Sequence, residues 1–562
     1  MINVGDGSTI GETFLRAAST YSDKSFLAVP PNPGRAYSPK GREISYSEAA
    51  KAVGELATVY KAAGYGVGHR VSLLLENRPD HILHKLAMNT LGVCCVPLNP
   101  DHRARELAYV LDHAKVDLVI CLESLEPQLR LAMEQTEHNK PKVAIFEHFV
   151  NNLPPPKHIA RSTAPDAATP ASILYTSGTT GRPKGCVLSH EYELTAGAWY
   201  ATRAGLSTFN EASERIYNPL PLFHVNSSIF SFYCSMLMGN CQIQTDRFQP
   251  SRWWTEVYES KATVVHYLGV VVPMLLGQDR HPHERDHLVR FAIGAGVEPQ
   301  RHKAFEERFG FPLIEIWGMT EMVRAIIDNQ LPREVGTRAF GRATPGIEVR
   351  VVNDHGVDVR DGQEGEMVIR HSEAEPRKYF FSGYLDDEAA TEEAWRGGWF
   401  HTGDIVTRDA SGLLRFIDRR KNIIRRSGEN IAAAEVEALL QAHPLVENVA
   451  VLAVKDELRE EEVLACVVLK DKAIKAIAGT STSAMATAKV LFDYCNANLA
   501  YYKTPGWLYL TDSIPTTATQ KIQKHQIFEP GLDPRTLAGM MDLRGFKKRD
   551  SRASSTQTPP RP

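Results

Sequence analysis

The chain has 562 residues, of which 43% are hydrophobic and 23% charged, and its formal net charge is −3 at pH 7. This length exceeds what a single hydrophobic core supports, so the composition predicts an ordinary globular protein of several domains. The nearly balanced charge gives no reason to expect nucleic acid as a partner.

Targeting signals are not evident in the sequence. The start of the chain, Met1 to Asp6, lacks the basic and apolar regions of a signal peptide. No apolar run reaches the ~20 residues that cross a bilayer. The eight cysteines are scattered without a Cys-x-x-Cys pair, which is typical of reduced thiols. We therefore expect a cytoplasmic protein with no membrane partner.

Apolar strands alternate with amphipathic helical segments over the first ~410 residues, which indicates layered α/β structure. The predicted strands and helix are, in chain order, 71–75, 80–91 (helix), 116–120, 262–268, 288–293 and 313–317. Between Gly346 and Arg370 the pattern changes to short β segments. After Asp418 come a helix at 432–442, strands at 449–454 and 463–469, and a helix ending near Leu499.

These elements predict an α/β fold with two domains and a tail. Residues 1–418 would form a large N-terminal domain of layered α/β subdomains plus a β-rich subdomain, and residues 419–546 a small α+β C-terminal domain. Residues 547–562, rich in Ser, Arg, Thr and Pro, are predicted to be disordered.

The segment from Thr176 to Gly185 is predicted to bind a polyphosphate. It follows an apolar run and combines glycines, which let the backbone approach an anion, with hydroxyl donors and cations. The lysine lies at the wrong offset for a Walker A motif, and no Gly-x-Gly-x-x-Gly follows a strand, so a P-loop kinase and an NAD enzyme are disfavoured. The candidate phosphate-binding residues are Thr176, Ser177, Gly178, Thr179, Thr180, Gly181 and Lys184.

The loop resembles the signature of the adenylate-forming superfamily, which includes the acyl-CoA synthetases. Four further segments resemble that family's motifs in the same order: 317–321 (Trp-Gly-Met-Thr-Glu), 398–404 (Gly-Trp-Phe-His-Thr-Gly-Asp), 418–437 and 515–522. The run as a whole looks most like the crotonobetaine/carnitine–CoA ligase branch.

The resemblance implies an ATP-dependent acid–CoA ligase, an acid–thiol ligase that forms an acyl-adenylate and pyrophosphate and then transfers the acyl group to coenzyme A. ATP, Mg²⁺ and coenzyme A would be its cofactors. Thr320 would donate to the α-phosphate, Glu321 would supply a carboxylate oxygen to Mg²⁺, and Asp404 would accept from the ribose hydroxyls. Lys521 would bridge the carboxylate and phosphate oxygens as a compact point charge.

Other positions receive roles from the same resemblance. Arg419 would lie near the ribose and phosphate, Lys421 would be the hinge of a mobile C-terminal domain, and His224 would border the substrate carboxylate. Trp317 would stack near the adenine. The remaining nucleotide and coenzyme A positions are Gly294, Ala295, Gly296, Gly318, Met319, Gly428, Glu429 and Asn430.

The sequence leaves several alternatives open. The acceptor could be a separate carrier protein, and Thr516 and Gln520, where the family usually has Arg and Gly, raise the option of a fold-retaining protein with weakened catalysis. The run 283–287, His-Glu-Arg-Asp-His, matches a zinc-protease pattern but has no apolar face, so we interpret it as a solvated loop.

The expected partner is a small carboxylic acid, with a homodimer as an option. If the acid carries a quaternary ammonium, an aromatic cage should surround it. The candidates for that cage are Trp253, Trp254, His266 and Tyr267. A small or medium acyl or aryl acid is equally compatible with the sequence.

Overall fold

The structure is a computed structural model that describes residues 1–548 apart from 152, 177–182, 270, 298, 354, 420–422, 471–480, 516–521, 523, 525–526 and 530. At residues 150, 151, 300, 418, 419, 423, 430, 432, 434 and 481–483 only the backbone is described. Four β-sheets organise this part of the chain.

Two large sheets form the first part of the fold. The eight-stranded sheet contains β1 (Ser25–Val29), β2 (Arg42–Ser45), β9 (Arg215–Asn218), β10 (Cys241–Gln244), β11 (Val264–Leu268), β12 (Phe291–Ala295), β13 (Leu313–Trp317) and β14 (Ile326–Ile327), all strands being numbered in chain order. Its strand order is β14-β13-β12-β11-β9-β10-β1-β2, with antiparallel pairing only at the two edges. Parallel strands need both faces covered, which explains the apolar runs that the sequence displays.

The seven-stranded sheet contains β3 (Arg70–Leu74), β4 (Cys94–Pro97), β5 (Leu118–Cys121), β6 (Lys142–Ile145), β7 (Pro170–Thr176), β8 (Lys184–Ser189) and β18 (Gly383–Tyr384). Its order is β18-β8-β7-β4-β3-β5-β6. The strands β7 and β8 pair antiparallel, and so do β8 and β18. The predicted phosphate loop therefore joins two adjacent, paired strands.

Ten helices of the first part are described: α1 (Ile10–Thr20), α2 (Tyr46–Ala62), α3 (Pro79–Thr90), α4 (Ala104–His113), α5 (Glu126–Glu134), α6 (His190–Ala201), α7 (Phe232–Met238), α8 (Trp253–Glu259), α9 (Val271–Leu276) and α10 (Pro299–Phe309). Side chains of α1, α2, α3, α6 and α7 share one core with strands of both large sheets. The helices α8, α9 and α10 bury a second core with β11, β12 and β13. No helix of the described residues is long and apolar enough to cross a membrane.

An antiparallel sheet forms the predicted β-rich subdomain. Its strands are β15 (Ala339–Gly341), β16 (Glu348–Val352), β17 (Glu364–Arg370), β19 (Phe400–Arg408) and β20 (Leu414–Arg419), with α11 (Glu388–Ala394) before β19. The order β15-β20-β19-β17-β16 places β19, which carries Asp404, in the middle. The prediction of short β segments after Gly346 is confirmed.

The last part of the chain has its own core. It contains β21 (Ile423–Arg426), β22 (Glu429–Ala432), α12 (Ala433–Gln441), β23 (Val446–Asp456), β24 (Glu460–Leu469), α13 (Ser481–Asn498), β25 (Trp507–Leu510) and β26 (Met540–Asp542). Buried apolar residues from Ile424 to Leu543 form a cluster of their own. This α+β composition matches the prediction, while the boundary at residue 418 remains a prediction.

Candidate active site

The predicted phosphate loop is framed by the pairing of β7 with β8. Thr176 pairs with Lys184 in the ladder, so the two ends of the loop are adjacent. Ser177, Gly178, Thr179, Thr180 and Gly181 lie outside the described residues. The Nζ of Lys184 lies 4.5 Å from the centre of the Tyr384 ring. This contact holds the lysine against Tyr384 of β18.

A buried carboxylate lies beside this frame. Glu321 is only 6% exposed, and its Oε1 accepts a hydrogen bond of 2.9 Å from the hydroxyl of Tyr384. Burial, and secondly the charge of Glu321, raise the pKa of Tyr384. The tyrosine therefore stays protonated and donates to the carboxylate.

The backbone around Thr320 is also anchored by a tyrosine. The hydroxyl of Tyr192, on α6, donates to the carbonyl oxygens of Thr320 at 2.8 Å and of Met322 at 3.0 Å. Thr320 itself is half-buried, and Gly318 before it is exposed. Neither Tyr192 nor Tyr384 was among the residues predicted from sequence. Both act across long chain separations, 63 residues for Tyr384 and Glu321, which no local pattern reveals.

Asp404 lies next to two of the other predicted residues. Its Oδ2 accepts a hydrogen bond of 2.8 Å from the indole Nε1 of Trp317, and both residues are buried. Arg419 is its antiparallel ladder partner on β20, and nothing is described of the arginine side chain. The sequence predicted stacking for Trp317; the structure adds that its N–H orients the Asp404 carboxylate.

The Gly294-Ala295-Gly296 segment lies at the carboxyl end of β12. A Cβ added at Gly294 would lie 2.2 Å from the carbonyl oxygen of Tyr267, so only glycine permits this approach of β11 and β12. The amide of Gly296 donates to Oε2 of Glu315 at 3.0 Å. Burial raises the pKa of Glu315. Sequence analysis missed this residue, although a glutamate inside the apolar strand Leu313–Trp317 is a usable signal.

The hairpin between β21 and β22 brings further predicted residues to this region. Ser427 and Gly428 both have positive φ, 52° and 83°, which matches a two-residue turn of type I′. A Cβ at Gly428 would lie 2.3 Å from Cδ1 of Leu268, at the end of β11. The hairpin tip therefore packs on the carboxyl end of the eight-stranded sheet.

Glu429 follows that turn and faces His224. The Nε2 of His224 lies 3.5 Å from Oε2 of Glu429. Burial acts to raise the pKa of Glu429, but the nearby His224, together with the charge of Lys503, lowers it overall. The side chain of Asn430 is not described, and Lys421 and Lys521 lie outside the described residues. Their predicted roles stay predictions.

The four aromatic candidates for a cation cage do not come together. Trp253, Trp254 and Tyr267 belong to the core shared with α9 and α10. His266, the neighbour of Tyr267 on β11, stacks on Tyr200, whose ring lies in the other core. Side chains alternate along a strand, so His266 and Tyr267 point to opposite faces. The prediction of a cage built from these four residues is therefore wrong.

The His-Glu-x-x-His segment is a loop, as predicted, but it is not fully solvated. Glu284 is buried and forms ion pairs with Arg280 and, at 2.9 Å, with Arg308. His287 stacks on Trp254. Because the segment has no helical turns, its two histidines do not share the helix face that a zinc protease needs.

The chain also matches known families over most of its length. Residues 14–385 match the AMP-binding enzyme family, and residues 435–521 match the AMP-binding enzyme C-terminal domain. The chain belongs to the AMP-binding enzyme family. A curated relative from Citrobacter koseri, a crotonobetaine/carnitine–CoA ligase, is 26% identical over 543 residues, covering 94% of this chain and 100% of the relative.

Two solved structures of o-succinylbenzoate–CoA synthetase from Bacillus subtilis share the fold of this AMP-binding enzyme. A double mutant bound with a product analogue has a TM-score of 0.76 at 22% identity, covering 92% of this chain and 98% of that chain. The complex with an acyl-adenylate intermediate has a TM-score of 0.60 at 22% identity, covering 93% and 99%. The predicted family, fold class and enzyme class, an AMP-forming acid–thiol ligase, are confirmed.

Proposed function

We propose that this AMP-binding enzyme is an ATP-dependent acid–CoA ligase that adenylates a small carboxylic acid and transfers the acyl group to coenzyme A. The observation that carries the proposal is the convergence of Thr320, Glu321, Asp404 and the Gly294–Gly296 segment around the carboxyl ends of β12 and β13. Ligands of open α/β sheets bind at such carboxyl ends.

The residues present fit a nucleotide and its metal. Mg²⁺ prefers oxygen ligands and is usually held by one or two carboxylates together with phosphates, which suits the buried Glu321. When bound, Mg²⁺ neutralises phosphate charge. Asp404, oriented by Trp317, would accept from the ribose hydroxyls, with Arg419 beside it. Lys184 and the loop before it would hold the pyrophosphate side.

The chain's own groups would then lower the barrier by placing charge. Attack of a carboxylate on the α-phosphate brings two anions together, so oriented donors and cations matter more than a covalent nucleophile. Thr320 would donate to the α-phosphate, and Lys521 would stabilise the charge that develops between the two groups. We propose that His224 borders the acid and Lys421 acts as the hinge.

We propose coenzyme A as the acceptor. The hairpin with Gly428 and Glu429 packs against Leu268 and His224, next to the segment that would hold the acyl group. The higher TM-score with the product-analogue complex, 0.76 against 0.60, supports the same arrangement. A separate carrier protein remains the second acceptor to test.

Finer proposals concern the domain boundaries, the partners and the location. We keep the boundaries 1–418, 419–546 and 547–562, supported by the separate core between Ile424 and Leu543. We propose a cytoplasmic enzyme without a nucleic-acid partner, in keeping with eight cysteines that lie buried as thiols. Sedimentation analysis would decide between a monomer and a homodimer.

The test is a pyrophosphate-release assay with ATP, Mg²⁺ and a panel of acids, each with and without coenzyme A. Crotonobetaine and carnitine, the acids in the relative's name, come first, followed by small acyl and aryl acids. We expect pyrophosphate with at least one acid, and an acyl-CoA product only when coenzyme A is present. Adenylation without transfer to coenzyme A would favour the carrier protein.

Lys521→Ala tests the catalytic assignment. Removing one oriented charge typically costs a factor of ~10² or more in rate, so we expect that loss in pyrophosphate release. Lys548→Ala, which changes an exposed lysine near the end of the chain, is the control and should keep full activity. Full adenylation by Lys521→Ala would refute its role.

A further inference from the structure

A buried lysine joins the C-terminal part of the chain to the large sheets. Lys503 follows α13 and is 6% exposed. Its Nζ lies 2.7 Å from Oε1 of Glu106 on α4 and 2.9 Å from Oε1 of Glu435 on α12. One cation is thus shared by two carboxylates that come from opposite sides of an interface.

The two carboxylates favour the charged form of Lys503. Burial acts to lower the pKa of Lys503, but the charges of Glu106 and Glu435 and their hydrogen bonds raise it overall. A buried ion pair is expensive to leave half-made, because the partner that stays keeps its desolvation cost without compensation. Loss of the lysine would leave two carboxylates facing each other in a dry interface.

Neighbouring residues bind the same two surfaces together. The side-chain amide of Asn99 donates to the hydroxyl of Tyr502 at 3.1 Å, and Nε of Arg103 donates to the carbonyl oxygen of Leu499 at 3.4 Å. The segment 99–106 therefore contacts the segment 499–503 at several points. The Lys503–Glu106 contact is the one of these three that joins opposite charges, and both of its side chains are only 7% exposed.

The two carboxylates are not equivalent. Glu435 and Lys503 are both attached to the C-terminal core, because their chain neighbours Val436 and Tyr502 belong to it. Glu106 precedes Leu107, which belongs to the large core. If the C-terminal part moved relative to the sheets, the Lys503–Glu435 pair would move as a unit and only the pair with Glu106 would break.

The similarity of this chain to solved relatives differs with the complex that is compared. The two o-succinylbenzoate–CoA synthetase structures described above match this chain with TM-scores of 0.76 and 0.60 although they are the same enzyme. The arrangement described here is the one in which the Gly428 hairpin packs on Leu268 and Glu429 faces His224.

We propose that Lys503, held by Glu106, is a positioning residue that fastens the C-terminal domain in the arrangement used for transfer to coenzyme A, with Glu435 as the counter-charge that travels with it. The proposal rests on the proposed ligase function. Breaking only the Glu106 contact releases the domain for adenylation without leaving the lysine unpaired. The strength of this contact thereby sets the fraction of molecules in the arrangement for thioester formation rather than in the one for adenylation.

Glu106→Gln tests this role with little risk to folding. Oε2 of Glu106 accepts from the amide of Arg103 at 2.9 Å in a capping box, and glutamine supports that cap as well. We expect thioester formation to slow by about tenfold or more, as loss of one buried partner implies, while adenylate formation is unchanged or faster. Glu48→Gln is the matched control: Glu48 caps α2 in the same way but is exposed.

A measurement of domain arrangement separates this proposal from the proposed function. All eight native cysteines are buried, so dyes placed at Gln135→Cys and Met485→Cys, two exposed positions, report the distance between the two parts of the chain. We expect Glu106→Gln to change the distribution of energy-transfer efficiencies between the two dyes, and Glu48→Gln to leave it unchanged. This measurement needs no acid substrate.

Coupling between the two residues completes the test. The rate of thioester formation should fall less in the double variant Lys503→Gln with Glu106→Gln than the two single changes together predict. Lys503→Arg keeps the positive charge, so it should retain part of the rate that Lys503→Gln loses. An unaltered dye distribution, or equal losses in both half-reactions, would overturn the proposal even if the enzyme proves to be an acid–CoA ligase.

Discussion

Asp404 shows how a single side chain is prepared for its task. The carboxylate is 4% exposed and receives the indole N–H of Trp317 at 2.8 Å. A hydrogen bond to a charged group contributes about 1.5–3 kcal/mol, and this bond also restricts the orientation of the carboxylate. The same logic applies at Glu321, where the hydroxyl of Tyr384 is the donor.

Trp317→Phe tests this arrangement. Phenylalanine keeps the ring but removes the donor, so the buried Asp404 loses its orienting bond, and we expect KM for ATP to rise about tenfold. Steady-state kinetics of pyrophosphate release measure the effect. Trp395→Phe is the control, because Trp395 packs on Phe380 and Phe400 in the same part of the fold. Equal changes in the two variants would argue against the role of the indole.

Among the elements, the hairpin of β21 and β22 determines how the C-terminal part meets the sheets. Its Ser427-Gly428 turn is tight enough to bring the backbone against Leu268. The resulting contact lies at the carboxyl end of β11, beside the Gly294–Gly296 segment. A short turn thus positions Glu429 opposite His224.

Gly428→Ala should therefore impair transfer more than adenylation. A methyl group at residue 428 would lie 2.3 Å from Leu268, and the φ of 83° adds strain for alanine. We expect at least a tenfold loss in thioester formation, since that step is proposed to use this packing. Separate assays of the two half-reactions measure the difference.

Gly412→Ala is a close control for this change. Gly412 has a φ of 81°, like Gly428, but nothing lies within 4 Å of an added Cβ. It carries the backbone strain without the clash, so its effect should be small and equal in both half-reactions. Leu268→Ala combined with Gly428→Ala should recover activity. Failure of that combination would place the defect in the turn rather than in the contact.

At the scale of the whole molecule, buried histidines make the fold sensitive to acid. Burial lowers the pKa of four of them, to about 3 for His81 and His266 and to about 4 for His84 and His190. In the unfolded chain they take up protons near their ordinary pKa, about 6.5. Below that pH the unfolded state binds more protons than the folded state, so stability is present above pH ~6.5 and lost as the pH falls.

Denaturant unfolding at pH 7, 6 and 5 measures this loss. Each such histidine contributes up to about 1.4 kcal/mol per pH unit, so we expect a steep decrease in the free energy of unfolding below pH ~6.5. His266→Leu should reduce the pH dependence of the free energy of unfolding by up to about 1.4 kcal/mol per pH unit. His138→Leu, at an exposed position, should leave that dependence unchanged. A flat profile between pH 7 and pH 5 would contradict the prediction.

The sequence by itself determined the fold class, the family and the identity of most candidate residues. The strand at 313–317 and the helix near 80–91 lie where the apolar periodicity places them, and the loop at 176–185 has the composition that a phosphate requires. These features are local, because hydrophobic spacing and glycine conformations act within a few residues of the chain. Thr320, Glu321 and Asp404 were identifiable for the same reason, through short motifs.

Only the tertiary structure decided which side chains serve these residues. Tyr384 and Glu321 are 63 positions apart, Trp317 and Asp404 are 87 apart, and Lys503 and Glu106 are 397 apart. Such contacts depend on how sheets and helices pack, which leaves no pattern within a sequence window. Packing also separated His266 from Tyr267, which are adjacent in sequence but on opposite faces of β11.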